Sequence, residues 1–115
     1  MATRVRCQIA ECHQIKFTAA AALSKNDYHV VEDAVGFVAE DVAAGADGIL
    51  LVKIPRVQVD KTAVAVNAGD RVFRDSTAEQ FTNVSTGRCR GFCNEDVAAS
   101  AATVEIFFDG ALFGS

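Results

Sequence analysis

Apolar and polar side chains alternate with a period of two through most of this sequence. In Arg4–Glu11, Gln14–Thr18 and Val104–Asp109, every second residue is apolar. This spacing is typical of half-buried strands that turn one face towards a core. Short segments rich in Ala, Gly and Asn separate the alternating runs and have the composition of turns. The sequence therefore predicts an all-β fold: a small single-domain β-barrel or β-sandwich with an N-terminal arm.

One long apolar run changes its phase at a proline. Leu50, Val52 and Ile54 are the apolar positions before Pro55, and the alternation resumes one residue out of step at Val57. A proline cannot donate a ladder hydrogen bond, and one extra residue transfers the following side chains to the opposite face. This pattern predicts a strand interrupted by a bulge at Pro55.

An internal repeat relates two parts of the chain. Residues 36–46 align with residues 91–101 at a shift of 55, and eight of the eleven aligned residues are identical. An apolar strand-like run follows each copy, so one strand–turn–strand unit is expected twice. Each copy carries an acidic pair, Glu40/Asp41 and Glu95/Asp96. We interpret these pairs as the polar starts of turns rather than as a twofold ligand site, because acidic residues before turns are usually solvated.

Length and charge limit the functional classes. A chain of 115 residues can bury about two-thirds of its surface in one core, so we expect an N-terminal arm with strands in 1–22 and a β-rich domain in 23–115, together one domain. The net charge is −4 without a basic cluster, which argues against nucleic acid as a partner. No apolar run of about 18 residues is present, so a membrane partner is not expected.

The cysteines suggest the main chemical alternative. Cys7, Cys12, Cys89 and Cys93, with His13 nearby, supply enough ligands for zinc, and they define the alternative of a zinc-stabilised or redox-active β module. The chain contains no Cys-x-x-Cys pair, however, and no apolar leader suggests an oxidising compartment. We therefore expect reduced, buried thiols and no metal site.

No set of residues suggests catalysis. The histidine next to Cys12 lies one position along an alternating run, so the two side chains are expected on opposite faces rather than as a base and its nucleophile. The sequence also lacks a phosphate-binding glycine loop. We predict that the protein is not an enzyme, with no catalytic residues and no cofactor.

Aromatic residues fall where polar residues are expected. Phe107 occupies the polar phase of its strand, and Phe113 follows in an apolar tail. Phe37 and Phe92 lie in runs that are apolar on both phases. Apolar side chains on both faces of a strand in so small a protein favour contact with another chain, although rings that close the end of a barrel would give the same pattern.

The order of these motifs resembles a known family. The chain combines a Gly-Phe-Val-Ala segment, an alanine-rich turn and an apolar strand with a later Ala-Gly-Asp-Arg-Val-Phe segment, and then repeats the first pattern. The segments are 36–39, 43–45, 49–52, 68–73, 91–93, 98–99 and 102–106. Across residues 23 to 110 this order resembles the tailed-phage capsid cement, or head decoration, proteins. Phe37 and Phe92 stand where that family more usually has valine, and the N-terminal stretch is longer than is usual there.

The resemblance implies a structural virion protein made in the host cytoplasm. It would bind the outer surface of a tailed-phage head and cement neighbouring major capsid subunits, which stabilises the expanded shell. The resemblance implies the major capsid protein as partner, together with a homo-oligomer in which a trimer is favoured over a dimer. We expect Arg4, Arg6, Phe107 and Phe113 to contact the capsid or sister subunits, and we expect removal of the first ten residues to abolish capsid binding without unfolding the domain.

Overall fold

A computed structural model describes residues 3–8 and 11–110. They form nine strands in chain order: β1 Arg4–Val5, β2 His13–Thr18, β3 Tyr28–Val31, β4 Ala34–Val38, β5 Asp47–Asp60, β6 Arg71–Asp75, β7 Gln80–Thr82, β8 Cys89–Cys93 and β9 Thr103–Asp109. The predicted all-β class is confirmed: the strands form one antiparallel sheet that curls into a half-barrel. Within the described part of the chain, no helix is suited to crossing a membrane.

The first alternating run is only partly a strand. The alternation predicts a strand over Arg4–Glu11, but within the described residues only Arg4–Val5 is paired. The chain bends at Cys7 and then turns, and the N–H of Glu11 donates to the carbonyl of Gln8 at 2.9 Å. Among the described residues the predicted strand therefore ends after Val5, although the N–H of Arg6 still donates to the carbonyl of Arg56 at 2.9 Å.

The long strand β5 organises the sheet. It pairs with β1, β2, β4 and β9. Its register shifts between Ile54 and Val57, which confirms the bulge predicted at Pro55. The bulge keeps Ile54 and Val57 both fully buried in one core although they are three residues apart.

The sheet order is β3-β4-β5-β9-β8-β6-β7. Two three-stranded units therefore meet at the β5–β9 pairing in opposite order, as an internal twofold would place them. We call residues 23–54 the first unit (β3, β4 and the first half of β5) and residues 66–109 the second unit (β6, β8 and β9). The short strand β7 is an insertion in the second unit.

Matching hydrogen bonds confirm that the units are equivalent. The carboxylate of Asp27 accepts the N–H of Ser24 at 2.9 Å, and the carboxylate of Asp70 accepts the N–H of Asn67 at the same distance. Antiparallel bridges Leu23–Val42 and Val66–Val97 then join each turn to the segment that follows β4 or β8. The repeat thus extends upstream of the aligned residues 36–46 and 91–101.

Two glycines permit the close approach of strands inside the units. A Cβ atom at Gly36 would collide with the carbonyl oxygen of Leu51, and one at Gly91 would collide with that of Phe107. Gly91 also has a φ of 138°, which side-chain-bearing residues rarely adopt. The shared glycine of the repeat therefore has a packing role in both units.

Two apolar clusters fill the fold. The main core lies between the two units and includes Phe37, Leu51, Phe81, Ile106 and Phe108. The outer cluster lies on the opposite face of the first unit, where Phe17 and Ala19 cover Val38, Leu50 and Val52. The ring of Tyr28 contacts both Phe81, at 6.1 Å between centroids, and the guanidinium of Arg74, at 4.0 Å. These contacts link the two ends of the half-barrel through side chains.

Candidate functional site

Two stacked phenylalanines form an exposed aromatic surface on the second unit. Phe92 and Phe107 are cross-strand partners on β8 and β9, with ring centroids 5.0 Å apart and planes inclined by 17°. Phe92 is 45% exposed, whereas Phe107 is half-buried beneath it. Phe107 thus lies on the outward face of its strand, where the alternation places it.

Cationic side chains border this aromatic pair. Arg71 is the register partner of Phe92, so their side chains stand on the same face of the sheet. The ammonium nitrogen of Lys53 lies 5.9 Å from the centroid of the Phe107 ring, within the range of a cation–π contact. We call Phe92, Phe107, Lys53 and Arg71 the aromatic surface.

The N-terminal arginines lie on the sheet beside this surface. Arg6 donates to the side-chain oxygen of Gln58 at 3.0 Å and pairs with Glu105 at 3.4 Å. Glu105 and Phe107 are two residues apart on β9 and therefore share a face. Arg4 is exposed on β1. Of the four residues expected to make contacts, the structure brings Arg6 and Phe107 to one face, and Phe113 lies outside the described residues.

A second surface feature is an acidic groove on the first unit. It has a volume of 270 Å³ and contains Ala39, Glu40, Asp41, Val42, Asp47 and Ile49 in its lining. We call these six residues the acidic groove. Asp41 accepts the N–H of Lys25 at 2.8 Å, and its repeat partner Asp96 accepts the N–H of Ala68 at 2.7 Å. These bonds support the interpretation of both aspartates as turn residues.

The cysteines do not assemble a metal site. Among residues 3–8 and 11–110, no group of three or more His, Cys, Asp or Glu side chains is placed to hold a metal ion. Cys7 and Cys12 have their sulfur atoms 4.0 Å apart, and Cys89 and Cys93 lie on β8. All four are free thiols.

The buried thiols are poorly suited to nucleophilic chemistry. Burial, with smaller contributions from the neighbouring Cys7 and Glu11, raises the pKa of Cys12 to about 12. Burial, reinforced by the carboxylates of Asp70 and Glu95, raises the pKa of Cys93 to about 11. Because the thiolate is the reactive form, both groups are protonated and unreactive at neutral pH.

A comparison with protein families shows which family the chain belongs to. The family model described as phage cement protein matches residues 8–107. The chain belongs to the phage cement protein family. This confirms the resemblance seen in the sequence, and it gives the chain a structural role in a phage and an association with the capsid. No curated protein matches the chain.

For a structural protein of this family, the exposed surfaces are the candidate functional sites. The sequence identified Phe107 by its phase but not Phe92 as its exposed partner. Phe92 is identical to Phe37 in the repeat, yet Phe37 is 1% exposed. The sequence carried no local signal for the exposure of Phe92, because its pairing with Phe107 on one face depends on the strand register.

Proposed function

We propose that this cement protein binds the outer surface of a tailed-phage head and joins neighbouring major capsid subunits. Each bound copy stabilises the assembled shell by mass action, because it binds the assembled lattice and not the separated subunits. At a hundredfold excess over Kd the gain is about 2.7 kcal/mol per site. The family match over residues 8–107 is the observation that carries this proposal.

The exposed rings and the arm support a surface role. Stacked, partly exposed phenylalanines are costly in water, and interfaces are enriched in such aromatic residues. Arg6 lies on the same sheet face as Phe107 through its ion pair with Glu105. In our proposal Arg4, Arg6, Phe107 and Phe113 contact the capsid or sister subunits, with 1–22 as the arm and 23–115 as the body.

The remaining parts of the proposal concern assembly. The protein is made in the host cytoplasm, acts without catalysis or a cofactor, and forms a homo-oligomer, with a trimer favoured over a dimer. An oligomer on a lattice gains avidity, because its second and third contacts form at high effective concentration.

The test is co-sedimentation with expanded heads that lack this protein. We expect the wild-type chain to saturate the heads in a simple ratio to the major capsid protein. We expect a chain without its first ten residues to lose binding while its far-ultraviolet circular dichroism stays β-type. Because the deletion also removes Val5 and Cys7, which pack on the main core, point variants are needed beside it.

The point variant Arg4→Glu reverses one exposed charge of the arm without removing core contacts. We expect it to weaken head binding about tenfold, whereas Arg88→Glu, at an exposed arginine outside the arm, serves as the charge-matched control. Failure of the wild-type chain to bind expanded heads would contradict the cement role. Unchanged binding by both the truncated chain and Arg4→Glu would contradict the role of the arm.

A further inference from the structure

One ring of the aromatic surface has a buried repeat partner. Phe92 aligns with Phe37 of the first unit, whereas its cross-strand partner Phe107 aligns with Val52. Phe37 is 1% exposed. The ring of Phe37 packs against that of Phe108 from the second unit, at 4.9 Å between centroids. In the second unit Cys93 takes the place in the main core, so Phe92 points outward and is left exposed.

The charges around the open pair restrict what covers it. Lys53 and Arg71 are exposed on two sides of the rings, so a matching surface needs an apolar floor with an acidic rim. When a cation above an aromatic ring is desolvated at an interface, it strengthens the aromatic contact only if an anion of the partner pairs with it. Basic or purely apolar partners fit this surface poorly.

The acidic groove of the first unit has these properties. Val42 is buried in its floor and Ile49 is half-buried, while Glu40, Asp41 and Asp47 are exposed at its rim. Lys16 pairs with Asp47 at 3.3 Å, whereas no ion pair with Glu40 or Asp41 is formed among residues 3–8 and 11–110. At 270 Å³ the groove falls below the about 300–1,000 Å³ of small-molecule pockets, and its size suits an inserted side chain.

We propose that the aromatic surface of one copy of this chain binds the acidic groove of a second copy. The two surfaces are formed by different residues, so the contact is head to tail. A head-to-tail contact leaves one free surface of each kind, and a ring closes when the rotation between copies permits it. This inference deepens the oligomeric part of the proposed function and rests on it.

The first test is sedimentation velocity of the full chain over a concentration series. We expect the wild-type chain to self-associate and Phe92→Ser to weaken that association at least about tenfold, the effect of losing a central aromatic contact. Val84→Ser is the matched control, because Val84 is 59% exposed and lies outside both surfaces. We expect this control to associate like the wild-type chain.

A charge exchange tests the partner directly. We expect Arg71→Glu and Glu40→Lys each to weaken self-association, and the chain carrying both changes to recover it, because the opposed charges are restored between copies. Asp33→Lys, at an exposed turn residue outside the groove, controls for the change in net charge. A folding defect would not be repaired by the second substitution, so recovery supports the contact.

Three results would overturn the inference. The first is a wild-type chain that stays monomeric up to about 0.1 mM, since specific contacts generally bind more tightly than this. The second is Phe92→Ser that associates like the wild-type chain, and the third is a double variant that fails to recover. If the monomeric chain still binds expanded heads, the cement role stands and the self-contact falls. If a self-associating chain does not bind heads, the self-contact stands and the cement role falls.

Discussion

The two units of this protein share a chain path but not an environment. In the first unit both faces of β4 are buried, one in the main core and one beneath Phe17 of β2. In the second unit the face that carries Cys93 is buried, and the face that carries Phe92 is open. The same Gly-Phe pair thus serves as core in one unit and as surface in the other. Strand orientation decides which role it has: β4 turns Phe37 into the main core, whereas β8 turns Cys93 into it and Phe92 outward.

The largest expected effect comes from truncating the two equivalent rings. Phe37→Ala should lower the free energy of unfolding by about 3–5 kcal/mol, because it leaves a cavity in the main core. Phe92→Ala should lower it by about 1 kcal/mol, since it loses one stacking contact and little burial. Urea unfolding at low protein concentration measures both. Equal losses would contradict the assigned difference in environment.

Substitution of the shared glycine should lower the stability by a smaller amount, and by different amounts in the two units. Gly36→Ala and Gly91→Ala both force a Cβ atom against a carbonyl oxygen, and each should cost about 1–3 kcal/mol. Gly91→Ala should cost more, because its φ of 138° adds backbone strain. Urea midpoints of the two variants give the order. A larger loss for Gly36→Ala would show that the steric contact alone sets the cost.

The smallest expected effect is on the pH dependence of stability, to which Cys93 contributes and its repeat partner Val38 does not. The folded chain raises the pKa of Cys93 from 9.0 to about 11, so folding favours the protonated thiol. Its contribution to stability is complete below pH 9 and is lost as the pH rises from 9 towards 11. Cys93→Val removes this dependence and leaves that of Cys12 in place.

Urea midpoints of wild-type and Cys93→Val chains at neutral pH and above pH 9 provide the measurement. Any packing change caused by valine is independent of pH, so it cancels when the two pH values are compared. We expect the wild-type midpoint to fall further than that of the variant as the pH rises. Parallel curves would show that Cys93 keeps its ordinary pKa in the folded chain.

Local patterns predicted much of the fold. The alternation located β2, β5 and β9, and the phase change at Pro55 located the bulge in β5. These features depend on side-chain order and on the missing N–H of proline, which the sequence states directly. The aligned repeat of residues 36–46 and 91–101 predicted a strand–turn–strand unit in each half.

Features that depend on contacts between distant residues could not be predicted from the sequence. The upstream parts of the repeat, residues 23–27 and 66–70, align at a shift of 43 rather than 55. The insertion of 12 residues that contains β7 causes this difference (55 − 43 = 12). The opposite environments of Phe37 and Phe92 were equally hidden, because identical residues gave identical local signals. The acidic groove depends on tertiary placement of β2 beside β5 and was not anticipated.

The pairing of β5 with β9 has a consequence for synthesis on the ribosome. The second half of β5, near residue 57, pairs with a strand that begins at Thr103. The first unit can form early, but its Phe37 and Leu51 have no complete core until Ile106 and Phe108 have left the exit tunnel. Contacts so distant in sequence slow folding. The nascent chain therefore exposes Phe37 during translation, before the second unit covers it.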